Sequence, residues 1–332
     1  MDVRLDPADE YMHELEEDST FNESMYFNFY DIEADLGGFV RLGNRANEGY
    51  AEATTCLYLP GGRVAFMYGR PEITGNDAFD AGGMTFEVVE PFEELKVAYD
   101  GKVVLLDDPL AMADPRKAFT ENPYDDCRIE LTYRKVSEMV GGEPTEQHER
   151  SGEEFARGHY EQLVAAAGTI GVGETGWKVQ GFGLRDHSWG PRTWQAPWYY
   201  RWLTANFGSE FGFMGSRIAR RDRDGIRGGF VWDGDELHLA HDFRISTEWT
   251  AGAGYHQRIA ATLVTKDGDR EREWNVIGEV MNLIPLRNRR DGMVTRISEG
   301  MTRWTLEDGR VGYGLSEYLD QIIDEQPVGI DE

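Results

Sequence analysis

The sequence predicts an all-β chain built as two antiparallel bodies in tandem, barrels or sandwiches. Three observations lead there. Short alternating segments recur between turn residues roughly every 8–12 positions, helical periodicity is rare, and a chain of this length holds about two such bodies. The chain has 332 residues, 40% of them hydrophobic, which is ample for a sizeable core.

Taken in order, residues 85–90 alternate, 95–99 follow, Asp100-Gly101 reads as a hairpin turn and 102–106 as its return. The polar, charged stretch from Gly141 to Gly158 is the best linker, and it sets a junction between a domain of residues 1–150 and one of residues 151–332. Overlapping its end, residues 153–167 suit either a helix, by their alanines, or the end of the linker followed by a strand beginning near Gly158. Gly173-Glu174-Thr175-Gly176 makes a hairpin turn and residues 177–188 have the length of its return, so a strand from about His159 is preferred. With the turn centred near Glu174, Glu161 falls opposite or nearly opposite His187. A meander follows: residues 211–219, a turn at Arg223-Asp224-Gly225, residues 229–232, a turn at Asp233-Gly234-Asp235, and residues 237–246. Residues 257–265 and 274–282 flank a turn at Lys266-Asp267-Gly268-Asp269, and residues 303–306 and 311–315 close the series around Asp308-Gly309.

Charge excludes one class of partner. With 61 acidic against 34 basic residues the net charge is -27, which opposes nucleic acid and anionic membrane surfaces alike. No apolar run reaches the roughly 18 residues of a membrane span. The first 18 residues carry eight acidic side chains and no apolar h-region, so a cytoplasmic protein is expected. Cys56 and Cys127 stand far apart without metal-ligand spacing and read as buried free thiols.

The chemistry concentrates in residues 181–194, Gly-Phe-Gly-Leu-Arg-Asp-His-Ser-Trp-Gly-Pro-Arg-Thr-Trp. A histidine titrates near neutral pH, a neighbouring carboxylate can hold or exchange its proton, and tryptophans exclude water. Alternation sets Arg185, His187 and Trp189 on one face and Asp186 and Ser188 on the other, and the glycines at 181 and 183 leave room for a bulge. The catalytic candidates are Asp186, His187, Arg185 and Glu161, with His187 and Glu161 as the first proton-transfer pair and Asp186 as the alternative acid. The plainer alternative is a structural cluster with Arg185 and Asp186 ion-paired. Trp189, Trp194, Trp198, Tyr200 and Trp202 are the substrate-binding candidates, lining an apolar cavity; core packing competes for them. His238 and His241 sit three apart on a strand and so on opposite faces, which excludes them as a metal pair. His13, His148 and His256 have no partner in the sequence and read as surface or structural. Phosphate-binding loops, dinucleotide fingerprints and serine-nucleophile elbows are absent from the sequence, so no nucleotide cofactor and no metal is expected.

Residues 181–192, together with His-Tyr-Glu-Gln at 159–162 and Gly-Tyr-Gly-Leu-Ser-Glu-Tyr-Leu-Asp at 312–320, resemble the hydroxyneurosporene synthase-like superfamily, also described as carotenoid 1,2-hydratase-like or AttH-like. The specific motifs lie in the second half; residues 1–150 follow only the general pattern. The resemblance implies two lipocalin-like (calycin-type) barrels, chemistry without a redox or nucleotide cofactor, and hydration of carbon–carbon double bonds in isoprenoid or prenylated substrates. Fungal relatives catalyse pericyclic cyclisations. The expected function is therefore a cofactor-independent hydratase, lyase or isomerase acting by acid–base catalysis on a hydrophobic small molecule, terpenoid, steroid-like or prenylated. A non-catalytic carrier of such molecules and a pericyclic cyclase are the alternatives.

Overall fold

The structure, a computed structural model, describes residues 3–145, 156–252, 254–268 and 270–331. The chain is nearly all β and separates into two compact units. The first contains residues 1–107 and 119–193; the second contains residues 108–118 and 194–332.

In the first unit eight strands form a closed barrel: β1 (Phe21–Asp31), β2 (Leu36–Arg45), β3 (Tyr50–Tyr58), β4 (Val64–Gly69), β5 (Glu94–Leu106), β6 (Tyr124–Lys135), β7 (Gly158–Val172) and β8 (Thr175–Pro191). Their order is β7-β8-β1-β2-β3-β4-β5-β6, and β6 pairs back onto β7. Alternate residues fill the interior, among them Met25, Phe27 and Phe29 of β1 and Val40 and Leu42 of β2. The other face of β1, with Asn22, Ser24 and Asn28, is buried too.

The second unit repeats the architecture in strict chain order. Its strands are β9 (Tyr199–Asn206), β10 (Gly212–Arg220), β11 (Arg223–Trp232), β12 (Leu237–Trp249), β13 (His256–Asp267), β14 (Arg270–Arg290), β15 (Met293–Leu306) and β16 (Val311–Ile323). Pairing of β9 with β16 closes it. Leu203, Phe213, Phe243, Leu263 and Trp304 are among its core residues. A short helical piece from the middle of the first barrel's sequence, Pro109–Ala113, belongs to this unit, and Asp114 beside it lies 3.9 Å from Arg287 of β14.

Three sequence expectations are corrected here. The junction expected at residues 150/151 falls between Thr193 and Trp194, because the first barrel closes only when β7 and β8 join it through β6 and β1. The polar stretch 141–158 is thus an intradomain connection, and its residues 146–155 lie outside the described residues. Asp100-Gly101 is no turn: β5 runs through it, paired with β6 from Glu94↔Arg134 to Val104↔Tyr124. The long ladder overrides the local turn signal, and the chain reverses instead at residues 91–93, where Phe92 takes a φ of 68°. The turn expected at 223–225 is displaced to Arg221-Asp222, since Arg220 pairs with Arg223.

Candidate functional site

Strand β8, which carries residues 181–191 of the chemistry-rich stretch, is positioned by its hairpin with β7. Val172 pairs with Thr175 across a two-residue turn, Gly173-Glu174, where Gly173 supplies a φ of 57°. That register sets Tyr160 opposite His187 and Glu161 opposite Asp186. Glu161 is therefore nearly opposite His187, one residue away, but in a strand one residue changes the face, so the two side chains do not pair. The bulge allowed for at Gly181 and Gly183 does not form, because Phe182↔Tyr30 and Arg185↔Phe27 keep one register with β1. The glycines serve close approach instead: a Cβ at 183 would overlap the Asn28 carbonyl oxygen, and Leu184 donates its N–H to Asn28 Oδ1 at 2.8 Å.

One face of β7–β8 carries a fully buried polar network. Arg185 makes a fork with Glu10, Nη1 to Oε1 at 2.7 Å and Nη2 to Oε2 at 2.9 Å, while its Nε donates to Gln162 Oε1 at 2.8 Å. Tyr160 donates to Glu10 Oε1 at 2.6 Å, and the Phe92 N–H reaches Oε2 at 2.7 Å. Burial would push the Glu10 carboxyl up, but Arg185 and Tyr160 outweigh it and hold it below its ordinary value. The same burial lifts the Tyr160 phenol well above its own. Arg185 thus pairs with Glu10, and the structural alternative of an Arg185–Asp186 ion pair does not form: the two side chains point to opposite faces.

His187 continues the network. Its Nδ1 lies 3.2 Å from the Tyr160 hydroxyl and its Nε2 3.0 Å from Glu23 Oε1. A second histidine meets the same oxygen: His13 Nδ1 is 2.7 Å from Glu23 Oε1, its backbone N–H donates to Oε2 at 2.9 Å, and its Nε2 lies 3.3 Å from Asp9 Oδ1. Asn76 Nδ2 donates to Glu23 Oε2 at 2.6 Å. Burial opposes ionisation of Glu23, yet His13 and His187 bring it down to about 2; burial likewise opposes the His13 cation, and Glu23 with Asp9 raises it above the ordinary value. His13 stacks on Trp189, ring centroids 4.0 Å apart. The His13 side chain is 19% exposed against 0% for Glu23 and His187, and it lines a depression of about 390 Å³ with Met12, Asn76 and Asp77. His13, expected to be surface or structural, is thus partnered by Glu23 and Asp9. Among the described residues, His13, Glu23 and His187 are the set whose ligand-type atoms converge, all within 4.8 Å.

The opposite face carries the carboxylates. Glu161 and Asp186 are a directly opposed cross-strand pair, and His159 Nε2 lies 3.9 Å from Glu161 Oε1 and 3.8 Å from Asp186 Oδ2. Glu161 is buried and Asp186 partly exposed. Surrounding protein disfavours the His159 cation, but Asp186 and Glu161 outweigh this and raise its pKa.

The aromatic candidates divide between the units. Trp189 is buried in the first; Trp194, Trp198, Tyr200 and Trp202 belong to the second. There the core takes Leu203 and Ala205 from β9, so alternation turns Tyr200 and Trp202 to the outside of that barrel, while Trp198 precedes the strand. The single barrel carrying both signature and aromatic cavity is replaced by this split. His238 and His241 are strand residues with separate partners, Asp233 and Glu271. His148 lies outside the described residues. His256 is buried in the second barrel, stacked on Tyr318 at 4.0 Å with its Nε2 2.9 Å from Ser316 Oγ. Burial and the cations of Arg201 and Arg296 hold its pKa down to about 3.

Two closed eight-stranded antiparallel barrels, the first threaded by a buried acid–histidine network, define a tandem lipocalin-like protein. The chain belongs to the family described as domain of unknown function DUF7064, whose model matches residues 6–322. Among solved structures it is similar to an AttH-type protein of Nitrosomonas europaea, at 13% identity and a TM-score of 0.54 over 92% of this chain and 93% of that one. It is also similar to CghA crystallised with Sch210972, at 11% identity and a TM-score of 0.56 over 91% and 88%. A third is kievitone hydratase from Nectria haematococca, at 11% identity and a TM-score of 0.50 over 91% and 89%. These likenesses establish the fold. No curated protein matches the chain in sequence. No helix among the described residues is long and apolar enough to cross a membrane.

Proposed function

We propose that this protein acts on a hydrophobic small molecule by acid–base chemistry, as a hydratase, lyase or isomerase, with Asp186 and Glu161 as the proton-transferring groups. The observation that carries the reading is the Glu161↔Asp186 pair with His159 within 4 Å of both. Adding water to an alkene requires one group to deliver a proton and another to take one from water, and two carboxyl groups side by side can divide those tasks. The nearby imidazole offsets the charge left when a proton departs. His187 and Arg185, on the other face, act as positioning residues that fix the strand bearing Asp186. Fold similarity to a kievitone hydratase favours hydration within this class, although a shared fold does not set the reaction.

The test is turnover of prenylated and terpenoid alkenes, followed by mass spectrometry for gain or loss of water. Asp186→Asn and Glu161→Gln should each lose about 10²–10⁴-fold in rate while still binding the substrate. Binding without turnover by the wild type would make the protein a carrier; full activity in both variants would move the chemistry elsewhere.

A further inference from the structure

The inner face of β8 carries a second candidate site, one that does not depend on the proposed reaction. We infer that His13, Glu23 and His187 bind a divalent first-row transition ion of the zinc class. Two imidazoles and one carboxylate form a donor set suited to such ions, and harder cations prefer all-oxygen shells.

Four features of the geometry carry this. One imidazole nitrogen from each histidine meets the same oxygen, His13 Nδ1 at 2.7 Å and His187 Nε2 at 3.0 Å from Glu23 Oε1, and ligand-type atoms of the three residues all lie within 4.8 Å of one another. Each histidine has its remaining nitrogen beside an acceptor: His13 Nε2 is 3.3 Å from Asp9 Oδ1, and His187 Nδ1 is 3.2 Å from Tyr160 Oη, whose own proton goes to Glu10. Such outer partners fix the tautomer that turns the free lone pair toward a metal. Asn76 Nδ2 holds the second Glu23 oxygen and the His13 N–H bridges both, while both imidazoles meet Oε1. Finally, His13, the one partly exposed ligand, lines a depression open to solvent, which gives the ion a path to the set. The ligands come from the segment before β1, from β1 and from β8, so the ion would fasten the N-terminal strap to the barrel.

The full chain, stripped with a chelator and dialysed, is titrated with zinc by calorimetry and with cobalt(II) by visible absorption. One equivalent should bind, cobalt should give a d–d band, and added zinc should raise the melting temperature. His13→Gln, at the partly exposed ligand, should bind at least about tenfold more weakly, and Asp9→Asn about 10–100-fold more weakly. His241→Gln, an exposed histidine outside the cluster, should bind like wild type. Wild-type binding no tighter than that of folded His13→Gln, or absence of a cobalt band, overturns the inference and leaves a hydrogen-bonded charge cluster. If Glu23→Gln fails to fold, the His13 and Asp9 variants decide. Catalytic assays of Asp186→Asn bear on the other face alone, so the two readings fail separately.

Discussion

Glu161 and Asp186 face one another directly across the β7–β8 ladder, two carboxylates where a sheet ordinarily avoids like charge. Such a pair costs stability, and His159 recovers part of it. Asp186→Asn should therefore leave the protein as stable as wild type or more stable by about 0.2–1 kcal/mol, whatever its effect on the proposed turnover. Urea unfolding of both proteins checks this. A large destabilisation would show that Asp186 holds the fold.

Breaking the inner network has the opposite signature. Glu10→Gln removes the partner of a fully buried guanidinium and leaves Arg185 charged without compensation, at a cost of about 3–5 kcal/mol. The Phe92 turn, anchored to Glu10 through its backbone N–H, should loosen as well. Denaturation midpoints with hydrogen exchange at residues 91–93 test both parts; a loss under 1 kcal/mol would mean that the fork is dispensable.

Gly183→Ala should destabilise by roughly 1–3 kcal/mol, the range for forcing extra atoms into a packed site. The new methyl meets the Asn28 carbonyl, which is backbone and cannot swing aside. A thermal melt matching wild type would show that β1 and β8 are able to part there.

His256 sets an acid limit on the second barrel. Its folded pKa is near 3, below the ordinary value of 6.5, so between these values the unfolded chain binds a proton that the folded chain does not. Stability is full above about 6.5 and falls as the pH drops toward 3, by up to about 1.4 kcal/mol per pH unit. His256→Gln should flatten that slope in urea titrations at pH 7, 5 and 4. An unchanged slope would assign the acid sensitivity to other groups.

The all-β character and most hairpins are legible in the residues because turns such as Asp233-Gly234 and Asp308-Gly309 are local chemistry. The β7–β8 hairpin is legible too, and its register lies within one residue of the expected centre at Glu174, because the turn is Gly173-Glu174 and its midpoint falls half a residue earlier. The facing of Tyr160 and His187 follows from that half-residue shift. His13 could not be paired from sequence: Glu23 is ten residues away and His187 lies on the last strand of the barrel. The one signal was a histidine beside Asp9 and Glu10 in a segment that otherwise reads as a solvated acidic arm. The junction was misplaced because a charged connection within a barrel has the same composition as a linker between barrels.

The helical piece at residues 109–113, and its neighbour Asp114 beside Arg287, have a consequence for any attempt to divide the chain. No single cut reproduces the two units: a fragment ending at Thr193 carries away part of the second, and one starting at Trp194 lacks it. As the ribosome releases the chain, residues 108–118 emerge long before the strands they belong with, so this stretch must wait while a whole barrel's worth of sequence follows. Assembly of the second unit is then tied to an intact connection through the first, and independent expression of halves is a poor proxy for either.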